Sequence, residues 1–214
     1  MAIGNQVNDG YKNFYVKLVG AKPGSEEAFF EFKTKTDGAY VIEQKSTEYS
    51  GNCEKIELKS FQYQGKEKFA LEVSLRDDSE KHRYILSLGI NNVSRGLLSS
   101  LDSLDEVSKL RFVTFMGKNK KDEPQLIFLT YANGSSDKLM WSHNMAELFK
   151  EKVKSVVVNG DKINDYSELN ELFLGSVLTS VKGKINSLGQ GESTEGIVEE
   201  DATEGVDEYD EDGD

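Results

Sequence analysis

The sequence predicts a mainly β protein: a barrel of strands with one helix between its third and fourth strands and another helix near the C-terminus. Segments rich in aromatic and β-branched residues recur along the chain between Gly, Pro, Asn and Asp turns. From Cys53, three consecutive segments alternate between apolar and polar residues, as half-buried strands do. Residues 189–214 contain 12 Asp and Glu and no Lys or Arg, which leaves 26 acids against 26 bases in residues 1–188. The net charge of −12 therefore belongs to the tail.

The N-terminal region is expected to form a meander of three strands, over residues 14–19, 28–34 and 39–44. Turn chemistry separates these segments, with Pro23-Gly24 in the first connection and Asp37-Gly38 in the second. Residues 1–10 are polar and rich in Gly and Asn, which is typical of a frayed arm.

The central region predicts strands over residues 53–63, 67–76 and 81–90, a helix over 92–107 with Asn92 as its cap, and strands over 110–116 and 125–131. This order resembles the oligonucleotide/oligosaccharide-binding (OB) fold, a five-stranded Greek-key barrel with its helix between strands three and four. The resemblance implies that a ligand crosses strands two and three. It also implies that the loops joining strands one and two, and strands four and five, flank that ligand.

Beyond the barrel, a short strand is expected over residues 138–143 and a helix over 144–154, with Asn144 as its cap. Trp141, with Met140 and Met145 nearby, is expected in the core rather than at a base-stacking site. The last helix carries an apolar stripe and ends near Leu188. We therefore expect one domain over residues 1–188, followed by a disordered acidic tail over residues 189–214.

Catalytic and metal-binding signatures are not apparent. Cys53 is the only cysteine and His82 and His143 are the only histidines, which excludes an internal disulfide and a zinc knuckle. Nucleophilic pairing of Cys53 with a histidine stays open, although a half-buried cysteine is the favoured interpretation. We expect no enzyme activity, no cofactor and no metal. No apolar run spans a bilayer and no signal peptide is apparent, so we expect a soluble, intracellular protein that does not bind membranes.

Basic and aromatic residues interleave on the predicted outer face of the barrel, a pattern that favours binding of single-stranded nucleic acid. Phe61 and Tyr63 share their parity with Lys55 and Lys59, and three lysines fall in the loop between strands four and five. The candidate DNA-binding residues are Lys55, Lys59, Phe61, Tyr63, Lys66, Lys68, Lys81, Arg83, Lys118, Lys120 and Lys121. The alternative for the two rings is burial beneath the N-terminal meander or the last helix.

A neutral body, a predicted barrel, a basic loop and an acidic terminus together resemble a bacteriophage-type single-stranded DNA-binding protein. The resemblance implies coating of single-stranded DNA without sequence preference in replication, recombination and repair, in the host cytoplasm if the protein is viral. It also implies that the tail recruits polymerase or primase-helicase and occupies the cationic groove when DNA is absent. The tail residues concerned are Glu199, Glu200, Asp201, Asp207, Glu208, Tyr209, Asp210, Glu211, Asp212 and Asp214. The chain departs from the family pattern because it lacks a terminal aromatic residue; Tyr209 is the nearest substitute.

Two other functions stay open. An acidic-tailed protein-interaction module, either a chaperone for basic proteins or a DNA mimic, would use the tail as its active surface. A hydrolase or nuclease has the least support in the sequence. The sequence also leaves open the preference for DNA over RNA and the oligomeric state, with a homo-oligomer among the alternatives.

Overall fold

Eight strands form one mixed sheet that curls strongly into a half-barrel in the computed structural model, which describes residues 10–20, 27–132, 134–158 and 161–185. Its strands are β1 (Lys12–Val19), β2 (Phe29–Thr36), β3 (Ala39–Ser46), β4 (Glu48–Tyr63), β5 (Lys66–Asp77), β6 (His82–Gly89), β7 (Lys109–Lys118) and β8 (Pro124–Ala132). Their spatial order is β3-β2-β1-β6-β5-β4-β7-β8. Only β1 and β6 run parallel, and every other neighbouring pair is antiparallel. The curl brings β2 into contact with β7, although the two strands are not neighbours in the sheet.

The concave face of the sheet holds an aromatic core, because apolar residues alternate along the strands with their ring side chains facing inward. Phe30 and Phe32 on β2 are fully buried and meet Tyr49 on β4 edge-on, with ring centroids 4.9 and 5.3 Å apart. Tyr84 on β6 and Phe112 on β7 complete the contact around Tyr49, at 5.3 and 5.5 Å. The core therefore joins strands from both ends of the sheet.

Helices pack against the sheet and share its apolar core. The helix α1 (Asn92–Asp102) begins at Asn91, whose side chain accepts from two backbone amides of the first turn. The C-terminal run comprises α3 (Ser167–Glu171), a π-helical turn (Leu172–Val177) and α4 (Leu178–Gly183). It packs on α1 through a buried apolar stripe that includes Phe173 and Val181. In the chain, β8 and α3 are separated by α2 (Met145–Lys152), which is capped by Asn144, and by a hairpin of β9 (Lys154–Val158) and β10 (Asp161–Asp165).

The mainly β class is confirmed, and α1 lies between β6 and β7 in the chain. The N-terminal strands, however, belong to the same sheet as the others, because β1 pairs with β6. The cap of α1 is Asn91 rather than Asn92, and the helix ends at Asp102 rather than at residue 107. The predicted strand over residues 138–143 is wrong: Lys138 makes one isolated bridge to Tyr131, and the chain then runs irregularly to α2. The hairpin of β9 and β10 was not predicted.

The expectation that Trp141 lies in the core is wrong. Trp141 is 56% exposed and the neighbouring Met140 is 68% exposed, whereas Met145 is buried. The indole lies against α1 at Gly96, where an added Cβ would stand 3.3 Å from the ring. Gly96, which weakens the helical pattern in the sequence, therefore permits the close approach of Trp141 to the helix.

Tyr49 provides a test of the aromatic core. Its hydroxyl is buried without a hydrogen-bond partner among the described residues, and burial raises its pKa well above the ordinary value. Tyr49→Phe is expected to stabilise the fold by about 1 kcal/mol, because an unsatisfied buried polar group is removed. The unfolded chain ionises tyrosine near pH 10, so wild-type stability falls as the pH rises through that value, and the variant should lose less. Urea unfolding at about pH 8 and pH 11 measures both effects. If the wild type and Tyr49→Phe give identical unfolding curves at both pH values, the description of the Tyr49 hydroxyl as buried and unpaired is wrong.

Candidate nucleic-acid interface

The hairpin of β4 and β5 extends beyond its neighbours. On one side β6 pairs with β5 only as far as Ala70, and on the other β7 pairs with β4 only from Glu48 to Asn52. Residues 60–69 therefore form a two-stranded ribbon, here called the outer ribbon. Its turn residues Gln64 and Gly65 both have positive φ, as the type I′ turn between paired strands requires.

Each aromatic ring on one face of the outer ribbon stands directly opposite a lysine. Phe61 pairs across the strands with Lys68, and Tyr63 pairs with Lys66. Directly opposed residues point to the same face, so the two rings and the two ammonium groups share one surface. The lysines are exposed and the rings are half-buried. Both rings are therefore partly accessible to solvent.

Further along the same face, Lys55 and Lys59 both form ion pairs with one acidic residue. Their Nζ atoms lie 2.6 and 2.8 Å from the two carboxylate oxygens of Glu57. Burial opposes ionisation of Glu57, but hydrogen bonds and charge from both lysines outweigh it and lower its pKa. Glu72 stands opposite Glu57 on β5, and burial raises the pKa of Glu72. This part of the predicted cationic strip is therefore largely neutralised within the protein.

Lys81 and Arg83 lie at the other end of β5 from the outer ribbon, around the ring of Tyr11. The Lys81 and Arg83 cations stand 5.0 and 5.4 Å from the centroid of that ring, and Arg76 stands 5.6 Å away. Glu54 pairs with both arginines, at 2.6 Å from Arg83 Nε and 3.1 Å from Arg76 Nη1. Tyr11 and Arg76 were not predicted; the alternation of β5 marks Arg76 as outward, but Tyr11 precedes any periodic segment.

The loop lysines lie apart from the outer ribbon. Because β7 is antiparallel to β4 and pairs Lys109 with Asn52, it runs away from the outer ribbon toward its own loop. Eleven residues of β4 separate Asn52 from Tyr63, about 35 Å along the strand. Lys118 also pairs with Asp122 at 2.8 Å. The structure therefore places the outer ribbon at the C-terminal end of β4 and the loop group (Lys118, Lys120 and Lys121) beyond its N-terminal end.

Within the part of the chain that the structure describes, the other predicted features give no second site. Burial raises the pKa of Cys53 to about 12, so its thiol is protonated at neutral pH and is a poor nucleophile. Within residues 10–20, 27–132, 134–158 and 161–185, no three His, Cys, Asp or Glu side chains are grouped to hold a metal ion. In the same ranges, no helix combines the length and apolar character that crossing a bilayer requires. The acidic tail residues all lie outside the described residues.

Comparison of the chain with protein-family models, with curated proteins and with solved structures gives no match. The functional argument therefore depends on the geometry of the surface itself.

Proposed function

We propose that the protein binds single-stranded DNA without sequence preference, through the outer ribbon and the adjoining outer face of β5 and β6. The observation that carries the proposal is the pair of lysine–aromatic neighbours, Phe61 with Lys68 and Tyr63 with Lys66. Single strands are held by cations that contact phosphates and by flat side chains on which bases stack, and the outer ribbon presents both on one face.

The spacing on the outer ribbon suits a single strand better than a duplex. Residues two apart on one strand are separated by about 6.6 Å, roughly twice the 3.4 Å rise per nucleotide of stacked DNA. A strand whose bases are separated can therefore place them against Phe61 and Tyr63, while a duplex keeps its bases stacked and out of reach. Stacking is tolerant of sequence because every base has a flat face.

The strand order supports an OB-like description of the central part of the sheet. In space, β6, β5, β4, β7 and β8 are consecutive neighbours, and α1 connects β6 to β7. We propose that these elements form an OB-like half-barrel, with the outer ribbon in the role of the loop between its first two strands. On this proposal the protein acts in replication, recombination and repair, and its acidic tail recruits replication proteins such as polymerase or primase-helicase.

A titration with fluorescent oligo(dT) tests the proposal, using the full-length chain and a chain ending at Leu188. Both should bind at low salt, and the logarithm of the affinity should fall linearly with the logarithm of salt concentration, by about 0.7 per phosphate contact. The truncated chain should bind more tightly, because a tethered polyanion competes with DNA. Absence of binding by both chains at low salt would overturn the proposal.

Substitution of Glu57 is expected to raise the affinity for DNA rather than lower it. Glu57→Gln removes the carboxylate that holds Lys55 and Lys59, and both ammonium groups then face solvent on the DNA-binding side. Affinity for oligo(dT) is expected to rise by about tenfold, with a steeper salt dependence from one or two added phosphate contacts. The matched control is Glu147→Gln on α2, which removes an exposed acid on a helix outside the sheet. Equal gains from both substitutions would show that only net charge matters.

A second function is favoured by the segregation of charge in the chain, since the tail holds 12 acids and no base. On this alternative the tail binds basic proteins and the folded part is a scaffold. Capture by a histone-like protein would then depend on the tail and survive Lys66→Glu with Lys68→Glu. Loss of capture in the lysine variant would exclude the scaffold role.

A further inference from the structure

An open cleft of about 590 Å³ lies between β1 and β2, away from the outer ribbon. It exists because the two strands diverge. Their pairing runs from Val19 with Phe29 to Tyr15 with Lys33 and goes no further among the described residues. Beyond that point residues 12–14 of β1 pair with β6, and residues 34–36 of β2 pair with β3. The two walls of the cleft, one from β1 and one from β2, are therefore not joined by β1–β2 hydrogen bonds among the described residues.

The polar lining of the cleft divides into a part paired within the protein and a part exposed to solvent. Glu43 accepts a hydrogen bond from Thr34 Oγ1 at 2.7 Å and lies 3.5 Å from Lys12 Nζ. The Thr34 hydrogen bond, with the Lys12 charge, lowers the pKa of Glu43, so this acid stays ionised and paired. Asn13, Lys35 and Thr36, in contrast, form no side-chain hydrogen bond or ion pair within the described ranges.

An aromatic pair stands beside these donors. The rings of Tyr15 and Tyr40 meet edge-on, with centroids 5.1 Å apart, and Tyr40 is 46% exposed. Lys35 is the direct cross-strand neighbour of Tyr40, so its ammonium group and that ring share one face. This repeats the lysine–aromatic arrangement of the outer ribbon at the far side of the sheet.

We propose that this cleft binds one nucleotide of the single strand, with the phosphate held by Lys35 and Asn13 and the base placed against Tyr40. The inference rests on the proposed function and extends it, since it assigns the N-terminal strands to the DNA path. An amide donor with an ammonium group suits a phosphodiester, because both supply hydrogens to its anionic oxygens.

The position of the cleft fits a continuous strand path. Asn13 on β1 pairs with Arg83 on β6, which pairs with Arg76 on β5. Eight residues of β5 separate Arg76 from Lys68 of the outer ribbon, about 26 Å along the strand. A single strand that joins the two places lies within the site sizes of roughly 4–16 nucleotides known for single OB folds.

Oligonucleotides of two lengths distinguish binding at the cleft from binding at the outer ribbon. Lys35→Glu should leave affinity for oligo(dT) of about 4 nucleotides unchanged and lower affinity for about 16 nucleotides roughly tenfold. Its salt dependence should weaken by about 0.7, the value for one phosphate contact on a single strand. The matched control is Lys150→Glu on α2, also an exposed lysine, which should change neither length.

Amide chemical shifts of the wild-type chain test the same inference without any substitution. Oligo(dT) of about 16 nucleotides should shift the amides of Asn13, Lys35, Thr36 and Gly38, while the shorter oligonucleotide should not. Binding of the longer oligonucleotide with those amides unmoved, or with full affinity in Lys35→Glu, would overturn this inference and leave the proposed function standing. Failure of the wild type to bind either length would overturn both.

Discussion

Replacing Phe61 and Tyr63 together with alanine is expected to lower the affinity for oligo(dT) by at least about 30-fold. Each base–aromatic stack contributes about 1–3 kcal/mol, and 1.4 kcal/mol corresponds to a factor of ten, so two stacks account for about 2 kcal/mol or more. The salt dependence should change little, because Lys66 and Lys68 remain in place to contact phosphates. Fluorescence titration at two salt concentrations measures both quantities.

The control for this double variant is Phe115→Ala with Tyr131→Ala. Phe115 is 44% exposed on β7, and Tyr131 on β8 lies beneath the Arg111 guanidinium, 4.3 Å from the ring centroid. Both rings lie on the outer face but away from the outer ribbon. A similar loss in the control would remove the outer ribbon from its proposed role and point to a diffuse surface.

Replacing Phe32 with alanine is expected to destabilise the fold by about 3–5 kcal/mol, a large part of the total stability of an ordinary domain. Phe32 is fully buried on β2 and contacts Tyr49 on β4, Tyr84 on β6 and Phe14 on β1. The substitution leaves a cavity among rings from three other strands. Because those strands belong to one sheet, the whole domain should lose stability, not only the N-terminal strands.

Urea unfolding followed by two signals tests that expectation. Trp141, the single tryptophan, reports on α1 through its contact with Gly96, while far-ultraviolet circular dichroism reports on the sheet. Both transitions of Phe32→Ala should move together to lower urea. If the Trp141 transition stays in place, residues 12–46 form a separate unit and the single-sheet description fails. Tyr40→Ala, on the exposed edge strand, should shift neither by more than a small amount.

Local patterns in the sequence predicted most of the strands, and the pairing between them required the structure. Alternation in β4, β5 and β6 is a local signal; β5 and β6 each lie within one residue of the predicted range at both ends, whereas β4 begins at Glu48, five residues before the predicted start. The parallel pairing of β1 with β6 joins residues about seventy positions apart, and no local pattern encodes it. Trp141 was misplaced because a large apolar side chain is usually buried, whereas here it rests on Gly96 at the surface.

For the candidate surface as well, local patterns predicted some features and the structure was needed for the others. Parity alone placed Phe61 and Tyr63 on the outer face, and the Gln64-Gly65 turn then sets their register opposite Lys68 and Lys66. The pairing of Lys55 and Lys59 with Glu57 follows from side-chain reach, which alternation does not report. The separation of the loop lysines from the outer ribbon depends on the direction of β7 relative to β4, a long-range property of the sheet.

Ultraviolet crosslinking of oligo(dT) to the full-length protein, followed by peptide mass spectrometry, tests the central claim most directly. Bases that stack on the outer ribbon lie in contact with its rings, so we expect crosslinked peptides that contain Phe61 and Tyr63. The yield should fall with added salt as the oligonucleotide dissociates. Crosslinks confined to the loop group or to the helices would contradict the account, because DNA would then bind a surface other than the one proposed.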